Sequence, residues 1–132
     1  RGLGDVYKRQ IMNNQTVDIF NPKTIRATMG SIFRVPFVYV PDLALVLEQM
    51  HAKGIYTYAA HLKGQEYYDS FSFREPTAFL IGNEGNGLSK EISDQAGQYL
   101  KIPMEGRVES LNASIAAALL MYEAHRQRSA RL

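Results

Sequence analysis

Short apolar runs alternate with amphipathic stretches along most of this chain, and that alternation restricts the fold more than any other feature. Val35–Val40 (VPFVYV) is β-branched and aromatic and reads as a strand, with Pro36 at its start, where a missing N–H donor is tolerated. Asp42 follows as a helix cap, and Leu43, Val46, Leu47 and Met50 then recur at helical spacing until Gly54 supplies the left-handed stop. Ile55–Ala60 (IYTYAA) reads as the next strand, followed by a polar loop through Gly64 to Pro76. Thr77–Ile81 (TAFLI) is an apolar strand that breaks at Gly82, Leu88–Ala96 a short helix with Ile92 and Ala96 inward, and Gln98–Ile102 (QYLKI) a strand stopped by Pro103. A last helix is expected from about Leu111 to Arg128, with Leu111, Ile115, Ala118, Leu119 and Tyr122 on one stripe. That stripe suits either the chain's own core or a partner subunit. Strands alternating with helices predict an α/β fold: a mostly parallel sheet with helices on both faces. Ligands of such sheets bind beyond the carboxyl ends of the strands, so glycine and polar motifs just after strands are the places to look.

Composition narrows the classes. The 132 residues suffice for one domain, and the apolar runs are far shorter than a membrane-spanning helix needs. The chain has no Cys, which removes disulfides and thiolate metal sites, and His51, His61 and His125 show no metal-ligand spacing. A cytoplasmic protein is the expectation. The formal charge is +2, but residues 1–10 (RGLGDVYKRQ) carry Arg1, Lys8 and Arg9 against Asp5, so residues 11–132 are neutral. Affinity for nucleic acid must then come from local clusters rather than a global field. The obvious cluster is Arg126, Arg128 and Arg131, which also suits the end of a helix. Residues 1–10 lack a clear period and are read as a junction segment, with the domain proper at 11–132.

Three segments carry chemistry. Gly82-Asn83-Glu84-Gly85-Asn86-Gly87-Leu88-Ser89 joins a strand to a helix, and its glycines permit close backbone approach to a ligand. It has no Lys-Ser/Thr of a P-loop, and its G-x-x-G-x-G spacing is not the dinucleotide fingerprint. Glu84 in mid-loop would repel a phosphate, whereas a cationic or hydroxyl-rich ligand is easier to hold; a purely geometric turn is the alternative. The second segment, Ile102 to Ser114 (IPMEGRVESLNAS), enters the last helix through Ser110 and Asn112. Either residue can cap that helix, which leaves the other side chain for a different task. The third segment runs from Asp18 to Pro36; Lys23, Arg26 and Arg34 suit phosphate contacts or plain solvation. No Ser-His-Asp order stands out.

Together these segments resemble the SpoU/TrmH family of the SPOUT superfamily. FLIGNEGNGLS is similar to its second motif, IPMEGRVESLNASIAAALLMYEAHRQR to its third, and DIFNPKTIRATMGSIFRVP to the stretch after its first, so the match covers Thr16 to Arg128. The resemblance implies a trefoil-knotted α/β domain, S-adenosylmethionine bound within the knot, an RNA substrate (rRNA or tRNA), transfer of a methyl group to a ribose 2′-oxygen, and a homodimer. Carried over residue by residue, the cofactor contacts fall on Ala60, Gly82, Ile102 and Leu111, and the polar motif positions on Glu84, Ser110 and Asn112, which are expected to organise the pocket and the ribose. The family's first motif, an N-x-G-x-x-x-R segment, has no counterpart in RGLGDVYKRQ. The expectation is a domain truncated at its N-terminus, with impaired turnover. Two other readings stay open: a non-catalytic module that binds cofactor or RNA beside a partner, and a flavodoxin-like nucleotide binder, against which the acid-bearing glycine loop argues.

Overall fold

The computed structural model describes residues 9–13, 21–22, 35–61, 64–82, 87–104 and 112–129. It divides into two compact units, residues 1–43 and 44–132. In the first, β1 (Gln10–Met12) and β2 (Phe37–Tyr39) pair in parallel, with Gln10 opposite Phe37 and Met12 opposite Tyr39. Pro36 donates nothing, but its carbonyl accepts from Gln10 N at 3.0 Å, which explains its tolerance at a strand start. The strand expected over Val35–Val40 is thus present but shorter. β1 was not anticipated, and its Gln10 is the last residue of the segment set aside as a junction.

The second unit is a three-stranded parallel sheet in the order β4-β3-β5, where β3 is Tyr56–Ala60, β4 Thr77–Leu80 and β5 Gln98–Leu100. Helix α1 (Leu43–Ala52) precedes β3, α2 (Lys90–Gln95) joins β4 to β5, and α3 (Ala113–Ser129) follows β5. Each expected element is found, with ends within two residues of those read from the pattern: Ala60, Thr77 and Gln98 coincide, and the last helix runs one residue past Arg128. Ends are set by caps. Gly54 closes α1 at φ 78°, with Gly54 N bonding His51 O and Ile55 N bonding Met50 O, the paired bonds of a Schellman stop. Ser89 caps α2, its Oγ accepting from Ile92 N at 3.3 Å.

Alternation along β3 sends side chains to both faces of the sheet. Tyr58 and, from β5, Leu100 join Phe73 and Leu120 of α3 in one buried cluster, with Phe71 and Phe79 against it. The Tyr58, Phe71, Phe73 and Phe79 rings meet at 4.9 to 6.3 Å, mostly edge to face. Burial pushes the Tyr58 phenol pKa up, so the ring stays neutral there. On the opposite face Thr57 is buried, its Oγ accepting from Gly97 N at 2.8 Å and pairing with His51 Nε2 of α1 at 2.7 Å. Parallel strands covered on both faces are what the sequence pattern predicts.

Helix α3 differs from the expectation in which side it turns inward. Its buried residues are Ala116, Leu120, Glu123 and Gln127. Of the apolar stripe picked out by hydrophobicity, three residues face outward: Ile115 is 52% exposed, Leu119 36% and Tyr122 73%; Ala118 is half-buried, and Leu111 lies outside the described residues. Two polar side chains are buried in its place because each finds partners. Gln127 accepts from Phe73 N at 2.6 Å and donates to Phe71 O at 2.9 Å and to Glu123 Oε2 at 2.8 Å. Glu123 receives a two-pronged bond from Arg126, both at 2.8 Å. Arg128 donates to Phe73 O and Glu75 O at 2.9 and 3.0 Å. Within the C-terminal arginine cluster, then, Arg128 fastens α3 to the 71–75 segment and Arg126 pairs with Glu123 of the same helix; Arg131 lies outside the described residues.

The Arg126 bond, seconded by Gln127, holds the Glu123 carboxyl below its ordinary value of 4.5 against the opposing effect of burial. A carboxyl depressed on folding stabilises above its unfolded pKa, and that contribution disappears as pH falls through the folded value. Thermal melts are therefore expected to decline more steeply below about pH 4.5 for the wild type than for Glu123→Gln. Parallel pH profiles of the two proteins would refute this.

Candidate functional site at the carboxyl edge of the sheet

The strand order places chemistry at one edge. The chain leaves β3 for β4 on one side and returns through α2 to β5 on the other, so the carboxyl end of β3 is a topological switch point. Register fixes what meets there. Ala60 lies opposite Leu100, and Ala59 opposite Leu80. The residues just past the three strand ends, His61, Ile81-Gly82 and Lys101-Ile102, therefore sit side by side. Three predicted cofactor residues, Ala60, Gly82 and Ile102, are brought to this edge, and Ala60 and Ile102 pack against the same buried cluster. Their side chains being so engaged, the groups they present to a ligand are backbone ones. The fourth, Leu111, lies outside the described residues, as do Glu84 and Ser110.

Gly82 is held by sterics. A Cβ there would stand 2.5 Å from both Gly87 C and Leu88 N, so the two ends of the glycine loop touch backbone to backbone. Gly87 closes the loop at φ 66°, a conformation that favours glycine. The backbone at Gly82 and at Gly87-Leu88 is thus in close contact at the carboxyl end of β4, where glycine leaves peptide groups uncovered.

Asn112 caps α3. Its Oδ1 accepts from Ser114 N at 2.8 Å and Ile115 N at 3.3 Å, and its carbonyl accepts from Ala116 N at 2.8 Å. Of the two capping candidates it is Asn112 that serves.

Two residues that sequence reasoning passed over also shape the edge. Alternate residues of a strand direct their N–H and C=O groups to opposite sides. Leu100 O accepts from His61 N on the β3 side, while Lys101 N bonds Glu66 O and Lys101 O accepts from Tyr68 N. The 66–68 segment therefore runs along the outer side of β5, and the chain between residues 61 and 66 crosses the end of that strand. Gly64 makes the crossing possible: a Cβ on it would lie 2.8 Å from Leu100 C and 3.0 Å from Leu100 O. His61 starts the turn, its carbonyl accepting from Gly64 N at 2.9 Å and its ring stacked on Tyr99 at 4.5 Å and 13°. A glycine four residues past a strand was the only sequence signal of the crossing.

The geometry can be set beside known proteins. The sequence model of the SpoU rRNA Methylase family matches residues 5–122. This chain belongs to the SpoU rRNA methylase family. It is 38% identical over 104 residues to YacO of Bacillus subtilis, named for the TrmH family of tRNA/rRNA methyltransferases, a match covering 79% of this chain and 42% of YacO. The structure superposes with a TM-score of 0.81 on the SpoU methyltransferase AviRb of Streptomyces viridochromogenes in complex with AdoMet, at 36% identity, over 89% of this chain and 49% of AviRb. An RNA 2′-O ribose methyltransferase of known structure matches with a TM-score of 0.79 at 30% identity, over 95% of this chain and 48% of that one. The chain spans about half the length of these family members.

Proposed function

We propose that this SpoU-family chain carries the S-adenosylmethionine-binding domain of an RNA 2′-O-ribose methyltransferase acting on rRNA or tRNA. The observation that carries the reading is the convergence of the Ala60, Gly82 and Ile102 turns at a single sheet edge. The bare Gly82 backbone, closed on Gly87 and Leu88, fits a nucleoside grasped by peptide groups. AviRb, with its bound AdoMet, supports the same assignment. When bound, the cofactor supplies a methyl group on a positively charged sulfur. This chain's part is to align that methyl carbon with an incoming ribose oxygen and to help remove the hydroxyl proton. Ala60, Gly82, Ile102 and Leu111 hold the nucleoside; Glu84, a tolerable neighbour for a cation, together with Ser110 and Asn112 organises the pocket and the ribose. We read the crossing at Gly64 as part of a trefoil knot.

The outward stripe of Ile115, Leu119 and Tyr122 supports a homodimer, since a soluble chain gains by covering contiguous apolar surface. Sedimentation equilibrium should show a dimer for the wild type and a monomer for Leu119→Glu; a wild-type monomer would end that part of the reading.

Calorimetry with S-adenosylmethionine, run beside a methyl-transfer assay on unmodified rRNA and tRNA, tests the whole. Binding is expected, with impaired turnover. Binding with no turnover favours a cofactor-binding module that relies on a partner, and absence of binding overturns the proposal.

A further inference from the structure

We propose that Tyr67, Lys101 and the stacked His61–Tyr99 pair form a landing strip for an unpaired stretch of the RNA substrate, beside the cofactor edge. The inference rests on the methyltransferase reading, but its supporting observations are independent of the cofactor turns. They begin with which way side chains point. Leu100 is wholly buried in the α3-side cluster, and Tyr68 packs against that cluster. Neighbours along a strand point the other way, so Tyr99 and Lys101, flanking Leu100, share the opposite face. Tyr67, extended just before the 68–70 turn, joins them there through its parallel bridge to Lys101, since bridged residues direct their side chains to one side.

Exposure and ring geometry come next. Tyr67 is 48% exposed and Lys101 is exposed, at the mouth of the sheet rather than in its core. The His61 and Tyr99 rings lie nearly parallel, 4.5 Å apart at 13°, whereas the core aromatic pairs are tilted or edge-on. A flat half-buried stack flanked by an exposed phenol suits planar ligands that add ring on ring. Charge completes the pattern. Lys101 is bridged to Tyr67 and follows Tyr99 of β5 by two residues, so it shares the face of both rings. Aromatic rings with a lysine set among them match a polymer of bases and phosphates. The bases must be unpaired, because only an unstacked base offers its face to a side chain.

The test is fluorescence anisotropy with a labelled, unstructured RNA of about eight nucleotides, against the same sequence as a duplex. The wild type should prefer the single strand. Tyr67→Ala should weaken single-strand binding about tenfold, while Tyr67→Phe, which keeps the ring, should bind like the wild type. Lys101→Ala should lower the slope of affinity against salt by about one charge. Calorimetry with S-adenosylmethionine should give unchanged affinity for these variants, so failure of the strip and failure of the cofactor reading are separately visible. Wild-type RNA affinity in Tyr67→Ala, equal affinity for the duplex, or no RNA binding by the wild type would each overturn the strip. Loss of S-adenosylmethionine binding by the wild type would strike at the methyltransferase reading instead.

Discussion

Gly82→Ala should lose most of its affinity for S-adenosylmethionine and about 2–4 kcal/mol of stability. A single methyl group has this effect because of what it meets. The added Cβ would stand 2.5 Å from Gly87 C and Leu88 N and 2.8 Å from Gly87 Cα, all of them backbone atoms. A flexible side-chain tip could swing away, whereas a peptide group moves only if the loop opens. Opening the loop displaces the strand-end turn that lies beside Ala60 and Ile102, so stability and ligand affinity fall together. Gly54 supplies the control. It sits at φ 78° with nothing within 4 Å of an added Cβ, so Gly54→Ala should cost only about 1 kcal/mol of backbone strain and leave cofactor affinity untouched. Urea denaturation and calorimetry on both variants decide the matter. Tight S-adenosylmethionine binding by Gly82→Ala would remove this loop from the site.

Replacing Gln127 by Ala should destabilise the protein by about 3 kcal/mol, more than removal of any outward apolar residue of α3. The amide makes three hydrogen bonds from a buried position, two of them to backbone groups of Phe71 and Phe73. Phe73 is wholly buried, so its N–H has no access to water once Gln127 is truncated. The missing side chain also leaves Glu123 with one donor fewer in a setting where its charge depends on donors. Gln127→Glu is a sharper variant, since a carboxylate cannot donate to Phe71 O and would stand beside Glu123. Tyr122→Ala, by contrast, removes a ring that is 73% exposed in the single chain and should change monomer stability by less than about 0.5 kcal/mol. Equal midpoints for Gln127→Ala and Tyr122→Ala in urea would show that the buried amide is not the anchor described.

Much of the scaffold was legible in the residues. Gly54 and Asn112 each occupy the kind of position that ends or starts a helix, and each does so in the structure, whereas Ser89, read as lying inside its helix, caps it instead. The runs IYTYAA, TAFLI and QYLKI all became strands because β-branched and aromatic side chains suit a pleated, doubly covered sheet. The placement of Gly82 just after one of those runs and of Ile102 at the carboxyl end of another was enough to aim both at one edge once the sheet was parallel.

What the amino-acid order alone determined, then, is the run of strands and helices from Val35 onward, their parallel pairing class and the membership of a methyltransferase family carried by two ordered motifs. Tertiary structure decided which side of α3 faces inward, where the chain crosses itself, and that Gln10–Met12 forms a strand. The reason is the same for the first two. Hydrophobic periodicity reports what water disfavours, but a polar side chain is buried stably when its partners are waiting, and those of Gln127 lie 54 and 56 residues away in sequence. Likewise Gly64 looks like any loop glycine until Leu100, far along the chain, is packed against it. Contacts of that range exist only after folding, so no local pattern encodes them.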